Sequence, residues 1–194
     1  MTPKAQRIGI LVIAVVMIIG TLGSFGMMIL ANENQTSEQD KLASEYQETL
    51  EKQQKETDKL SGTYYSTFES YKERPTTFDA GSVGDKVTYT DIKVGDGEAL
   101  TKESKNYRAY YLGWNPAGTL FDGSIDGDKL KPPLDLSQMT LIPGWYEGVD
   151  GMKIGGVREI TIPSELAYGE TGSGDAIAPN TPIKFLIMAI PVAG

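Results

Sequence analysis

The chain has 194 residues, 40% hydrophobic and 23% charged, with a formal net charge of −8 and a sequence pI near 4.6. An acidic balance of this kind lacks the basic footprint of a nucleic-acid binder, so no nucleic acid is expected as a partner. Cys and His are both absent. Disulfides, thiol nucleophiles, thiolate metal sites and the commonest general base are therefore excluded, and neither a metal nor a cofactor is expected.

From Ile8 to Ala31 no residue is charged. A helix needs roughly 20 mostly apolar residues to cross a bilayer core, and this run is long enough to span with some tilt. The apolar region of a cleaved signal peptide is usually about 7–15 residues, and no clear small-x-small cleavage site follows. The reading is a transmembrane signal anchor over 8–31. Lys4 and Arg7 precede it, whereas Glu33, Glu38 and Asp40 follow it. The positive-inside bias then puts 1–7 in the cytoplasm and the remainder on the far side of the cell membrane, as a single-pass protein. Without Lys4 and Arg7, 16 basic residues face 26 acidic ones, so the external part carries −10.

Residues 32–75 read as a polar helical stalk. Glu48 with Lys52, and Glu51 with Lys55, are favourable i,i+4 pairs. Leu42, Tyr46, Leu50, Leu60, Tyr64 and Phe68 form a patchy apolar stripe, but strict heptad positions are often Thr or Gln. A solvated spacer helix is preferred over a stalk that self-associates. Arg74-Pro75 ends the helical pattern, because the residue before proline is pushed out of the α region. Residues 76–85 read as a linker into a last domain, 86–194.

In that domain Gly and Pro become frequent and short strand-like runs appear. Strands are expected at Lys86–Val94, Asn106–Trp114, Gly156–Ile162 and Pro182–Ile190. Period-2 alternation puts Tyr107, Ala109 and Tyr111 on one face, and Ile183, Phe185, Ile187 and Ala189 on another. One short helix fits near Ile142–Met152, with Pro143 suited to its first turn. The fold class is α+β, an antiparallel sheet covering one short helix. Leu186, Met188 and Ile190 make the opposite strand face unusually apolar for a free surface.

Three stretches in this order carry a resemblance: YYLGWNPAGTLFDGS (110–124), LIPGWYEGVDGMKIGGVREITIP (141–163) and LAYGETGSGDAIAPNTPIKF (166–185). They resemble the FKBP-type peptidyl-prolyl cis–trans isomerases, whose pattern has a YTG-like strand, an FD pair, a V-I-x-G-W-E-E-G helix start, an A-Y-G turn and a final I-P-P-x-x-x-L-x-F strand. The resemblance runs from about Lys86 to the C-terminus and says nothing about the anchor or the stalk.

It implies a half-barrel of about five antiparallel strands wrapped on the short helix, with an apolar pocket between them. Trp145 would be the floor under the substrate's proline ring. Tyr111, Phe121 and Phe185 would form walls, with Leu134, Leu141 and Ile177 completing the pocket. The Ile142 backbone N–H and the Tyr168 hydroxyl would each bond a substrate carbonyl. Asp122 would place a carboxylate at the rim. Tyr111, Asp122, Ile142 and Tyr168 are the expected catalytic set.

Leu134 stands where the family often has an aromatic residue. No basic residue in 123–133 lines up with the one that often accompanies the rim aspartate. In the loop 172–178, Ser173 and Ala176 replace larger residues. The implied partners are proline-containing polypeptides, and the implied activity is prolyl isomerisation assisting exported or membrane proteins. The alternative is a membrane-tethered module that binds proline peptides, or assembles, without turnover. Local composition alone offers duller readings: Trp145 as plain core, Tyr168 as a turn tyrosine, Asp122 as a turn former before Gly123. GETGSGD (169–175) lacks the lysine and the following helix of a phosphate loop.

Overall fold

The computed structural model describes residues 36–192. The expected cytoplasmic segment 1–7 and the expected anchor 8–31 lie outside the described residues. Among the described residues, no helix is long and apolar enough to cross a membrane. Two compact units meet at Leu60/Ser61. Helix α1, Thr36–Glu69, runs through that boundary. Its part before Ser61 is a largely exposed polar helix carrying both expected ion pairs, Lys52–Glu48 at 2.8 Å and Lys55–Glu51 at 3.8 Å.

The second unit is built on β1 (Thr88–Lys93), β2 (Tyr107–Trp114), β3 (Leu120–Gly123), β7 (Val157–Ile162) and β8 (Ile183–Pro191). Their order in the sheet is β1-β7-β8-β2-β3, with every neighbouring pair antiparallel. Between β3 and β7 lie the hairpin β4 (Ile125–Asp126) and β5 (Lys129–Leu130), the short β6 (Leu134–Asp135), and helix α2 (Pro143–Val149). β6 pairs with the start of β2, setting Leu134 opposite Ala109. The sequence-based strands agree with β1, β2, β7 and β8 to within one or two residues at each end. The fifth strand, β3, carries the FD pair.

Alternation along the strands makes two apolar faces. The inner face gathers Tyr107, Ala109 and Tyr111 of β2, Ile160 and Ile162 of β7, and Ile183, Phe185, Ile187 and Ala189 of β8 against Trp145 and Val149 of α2. The helix lies unusually close to the sheet. A Cβ on Gly144 would sit 2.2 Å from Ile162 Cγ2, and one on Gly148 would sit 2.7 Å from Ile160 Cδ1. These two glycines are four residues apart and so share a helix face.

The outer face corrects the assigned boundaries. Leu186 and Ile190 are 0% and 1% exposed, so this apolar face is covered from within the chain. The last turns of α1 supply part of the cover: the Tyr64 and Phe68 rings lie 6.0 and 5.9 Å from the Tyr110 ring. The Leu130 N–H donates to Ser61 Oγ at 2.8 Å. Residues 76–85, read as a linker, are also tied down. The Phe78 N–H donates to the Pro116 carbonyl at 3.0 Å, and Lys184 Nζ lies 5.2 Å from the Phe78 ring centre. Arg74 pairs with Glu159 at 3.3 Å. The compact unit therefore begins at Ser61, not at residue 86. The stalk reading failed there because a helix stripe and apolar strand faces far apart in sequence look exposed until they are paired.

Phe68→Ala in the full chain should lower unfolding free energy by roughly 3–5 kcal/mol, the usual cost of emptying a buried phenylalanine site. Leu42→Ala, at an exposed position, should stay within about 0.5 kcal/mol. Urea denaturation measures both. Equal small effects would mean that the helix end contributes nothing to the outer layer.

Candidate active site

The site is organised around the start of α2. Ile142 is extended (φ −63°, ψ 148°) and Pro143 opens the helix, where its missing N–H leaves no bond unmade. Trp145 follows within the first turn and points into the core at 2% exposure. Its ring meets Phe185 at 5.4 Å between centres (interplanar angle 69°) and Tyr111 at 6.0 Å (81°). Phe185 in turn meets Phe121 edge-on at 5.6 Å. Such tilted contacts set ring edges against ring faces, the arrangement that the ring quadrupoles favour. Gly113 makes it fit: a Cβ there would fall 2.5 Å from Phe185 and 2.8 Å from Phe121.

Phe121, Leu134, Leu141, Ile142 and Tyr168 are partly exposed and pack against this core, and Asp122 beside Phe121 is partly exposed too. Asp122 is held from several sides. Its Oδ2 accepts from the Tyr111 hydroxyl at 2.5 Å, and its Oδ1 accepts from the Gly123 N–H at 2.8 Å. Lys131 Nζ lies 3.9 Å from Oδ1. Position by position, 123–133 offers no clear counterpart to the basic residue that often accompanies the rim aspartate; in the structure the hairpin β4–β5 carries the chain back so that Lys131, nine positions on, comes near it. Alignment by position could not see this, because the spacing across the hairpin differs.

The Ile142 N–H and the Tyr168 hydroxyl make no hydrogen bond among the described residues, and both belong to residues partly open to solvent. Ile177 is buried in the same core. It sits at the base of the loop 172–178, which closes on itself through Ser173 N–H to Ile177 O (2.8 Å) and Ile177 N–H to Ser173 O (3.2 Å). Asn115 Nδ2 donates to the Ala176 carbonyl at 2.8 Å, anchoring the loop to the end of β2. Nine of the ten sequence-derived site residues belong to this core or pack against it, and the tenth, Asp122, bonds Tyr111. Sequence reasoning missed Lys131, Asn115 and the hydroxyls of Tyr107 and Tyr146. The Trp145 indole N–H donates to Tyr107 at 3.1 Å, and the Leu141 N–H donates to Tyr146 at 3.0 Å.

This geometry coincides with a family match. The family model for FKBP-type peptidyl-prolyl cis-trans isomerase aligns with residues 97–189. The chain is 39% identical over 103 residues to the FK506-binding protein of Neisseria meningitidis, covering 53% of this chain and 92% of that protein. The chain belongs to the FKBP-type isomerase family. A second FKBP relative, the FKBP-type 22 kDa peptidyl-prolyl cis-trans isomerase of Escherichia coli, is 35% identical over 101 residues, 52% of this chain and 47% of that one. Among solved structures, that of AtFKBP13 shares 33% identity over 55% of this chain and 93% of its own, with a TM-score of 0.47. The FKBP domain is a peptidyl-prolyl cis–trans isomerase whose substrates are proline-containing peptides.

The tyrosines of this FKBP site stay neutral far above the usual range. Burial pushes Tyr168 up to about 12, and the Asp122 carboxylate adds to the shift. Burial also pushes Tyr107 up to about 12 against the opposing effect of its bond with Trp145. Burial and then Asp122 raise Tyr111 as well. An unfolded tyrosine titrates near 10. Because the folded values are raised, the stabilisation is fully present below about pH 10 and is lost as pH rises through about 12. Melting temperature should therefore fall steeply between about pH 10 and 12, and less steeply in Tyr168→Phe. A Tyr168→Phe curve superimposable on wild type would contradict this account of the hydroxyl.

Proposed function

We propose that the isomerase domain is tethered outside a membrane and acts on exported or membrane polypeptides. The observation that carries this reading is the uncharged run Ile8–Ala31, with Lys4 and Arg7 before it and an acidic remainder after it. If the chain is anchored this way, alkaline carbonate washing should leave it in the membrane fraction. External protease should then degrade the folded domain in whole cells or spheroplasts. Release by carbonate, or protection of the domain until the membrane is opened, would reject the topology.

The chemistry asks for no bond to be made or broken. Rotation about the X–Pro bond faces a barrier of roughly 18–20 kcal/mol, because the planar amide is stabilised by resonance that separates charge onto oxygen and nitrogen. Twisting destroys that resonance and leaves a less polar group. An aromatic floor therefore disfavours the planar ground state relative to the twisted state. In this reading Trp145 underlies the proline ring, with Tyr111, Phe121 and Phe185 as walls and Leu134, Leu141 and Ile177 filling the remainder. The Ile142 N–H and the Tyr168 hydroxyl grip the carbonyls on either side. Asp122, fixed by Tyr111 and Gly123, sets an oriented carboxylate against the dipole that changes during twisting.

Exchange NMR on a proline peptide tests these roles. Wild type should accelerate exchange. Tyr168→Phe should lower kcat/KM about three- to tenfold, the value of one neutral hydrogen bond, and Asp122→Ala should lower it by at least as much. Wild-type rates in both variants would remove these residues from the reaction.

A further inference from the structure

Two tyrosine hydroxyls play no part in the reaction as just described, yet each bonds an element of its machinery. Tyr107 comes from the start of β2 and is fully buried. Its hydroxyl accepts the Trp145 indole N–H at 3.1 Å inside the core. Tyr146 follows Trp145 on α2, and its hydroxyl accepts the Leu141 N–H at 3.0 Å, across the turn that opens the helix. The family pattern has glutamate after the tryptophan, so Tyr146 is a departure of this chain.

Packing alone does not call for either hydroxyl, since phenylalanine would fill the same space. What the oxygens add is direction. A buried indole N–H without an acceptor carries a desolvation penalty, so the ring is held in the orientation that keeps its bond to Tyr107. That orientation is the plane on which the proline ring would lie. Leu141 immediately precedes Ile142, and its N–H is tied back to a side chain one turn further on. The extended backbone that presents the Ile142 N–H is therefore pinned at both ends, by Tyr146 on one side and by the helix on the other.

We propose that Tyr107 and Tyr146 are positioning residues of the isomerase site, Tyr107 fixing the plane of the Trp145 floor and Tyr146 fixing the backbone that carries the Ile142 donor. The proposal rests on the site roles given under the proposed function. Both hydroxyls act as hydrogen-bond acceptors, and burial holds that of Tyr107 in its neutral form, with Tyr146 adding to the shift against the opposing Trp145 bond.

The test uses the full chain with Tyr107→Phe and Tyr146→Phe, each keeping the ring and losing only the oxygen. Nuclear magnetic resonance follows the two indole N–H signals and the Ile142 amide, while exchange spectroscopy on a proline tetrapeptide gives kcat and KM and a titration gives affinity. Tyr107→Phe should move the Trp145 indole signal upfield, leave that of Trp114 in place and lower kcat/KM about three- to tenfold. Tyr146→Phe should shift the Ile142 amide and raise KM by a similar factor with little change in kcat, because that donor grips the ground state as well. Unchanged kcat/KM and peptide affinity in both folded variants would make the hydroxyls structural only and overturn the proposal. An inactive wild type would instead reject the site roles. The titration would then decide positioning: weaker binding in the variants supports it, and equal binding overturns it. Tyr146 is only partly buried, so its variant keeps the test open should Tyr107→Phe fail to fold.

Discussion

A seven-residue helix is too short to be stable alone in water, and the site depends on one such helix, α2. Its stability comes from outside. Gly144 and Gly148 let its backbone settle directly on Ile162 and Ile160, and Trp145 and Val149 fill the core beside them. Its far end is closed by Arg158 of β7, whose guanidinium donates to the carbonyls of Gly148 (3.0 Å) and Asp150 (2.9 Å). The same side chain bonds Asp91 of the edge strand at 2.6 and 3.1 Å and lies 3.9 Å from the centre of the Tyr89 ring. Arg158 thus satisfies carbonyls that a helix end leaves open while its charge is paired. Losing the arginine would leave both the carbonyls and Asp91 without that partner. Arg158 is itself only 3% exposed, so the arrangement is costly to break.

The second constraint comes from having two apolar faces on one sheet. An inner face packed on α2 leaves Tyr110, Leu112, Leu186, Met188 and Ile190 on the other side, and these must be covered too. The end of α1 supplies part of that cover at Tyr110, and Phe78 lies beside Lys184 of β8. That outer layer combines aromatic packing with a few polar ties, Ser61 to Leu130 and Arg74 to Glu159 among them. The Tyr110 hydroxyl and the Trp114 indole nitrogen have no hydrogen-bond partner among the described residues. The contrast with the inner layer is informative, because there the buried Trp145 indole does have a partner.

The strand positions and the inner face were legible in the sequence because period-2 alternation is local: Ile183, Phe185, Ile187 and Ala189 announce a face without help. The placement of α2 was legible from Pro143 and from the resemblance. The apolar alternation at Leu186, Met188 and Ile190 showed that something had to cover that face. It did not show that Tyr64 and Phe68 would, since long-range packing leaves no local mark. Lys131 was missed for a related reason. Its approach to Asp122 depends on how a hairpin folds back, not on the count of intervening residues. Tyr107 was placed on the correct face, but its bond to Trp145 joins residues 38 positions apart and has no sequence signature at all.

A site without histidine or cysteine is no handicap for this reaction, because twisting an amide moves no proton. What matters is how differently the site treats a polar planar amide and a less polar twisted one. A thousandfold acceleration needs only about 4 kcal/mol of that difference, since each 1.4 kcal/mol is a factor of ten. On the proposed roles, a few oriented donors and one fixed carboxylate over an aromatic floor can supply it, provided they do not have to reorganise as the bond turns. That proviso explains why so much of the polar bonding here lies behind the rim rather than on it. Tyr111 and Gly123 fix Asp122, Asn115 fixes the loop at Ala176, and the hydroxyls of Tyr107 and Tyr146 bond the Trp145 indole and the Leu141 N–H just before α2. Each of these bonds is made before substrate arrives, so its ordering cost belongs to folding and not to the transition state.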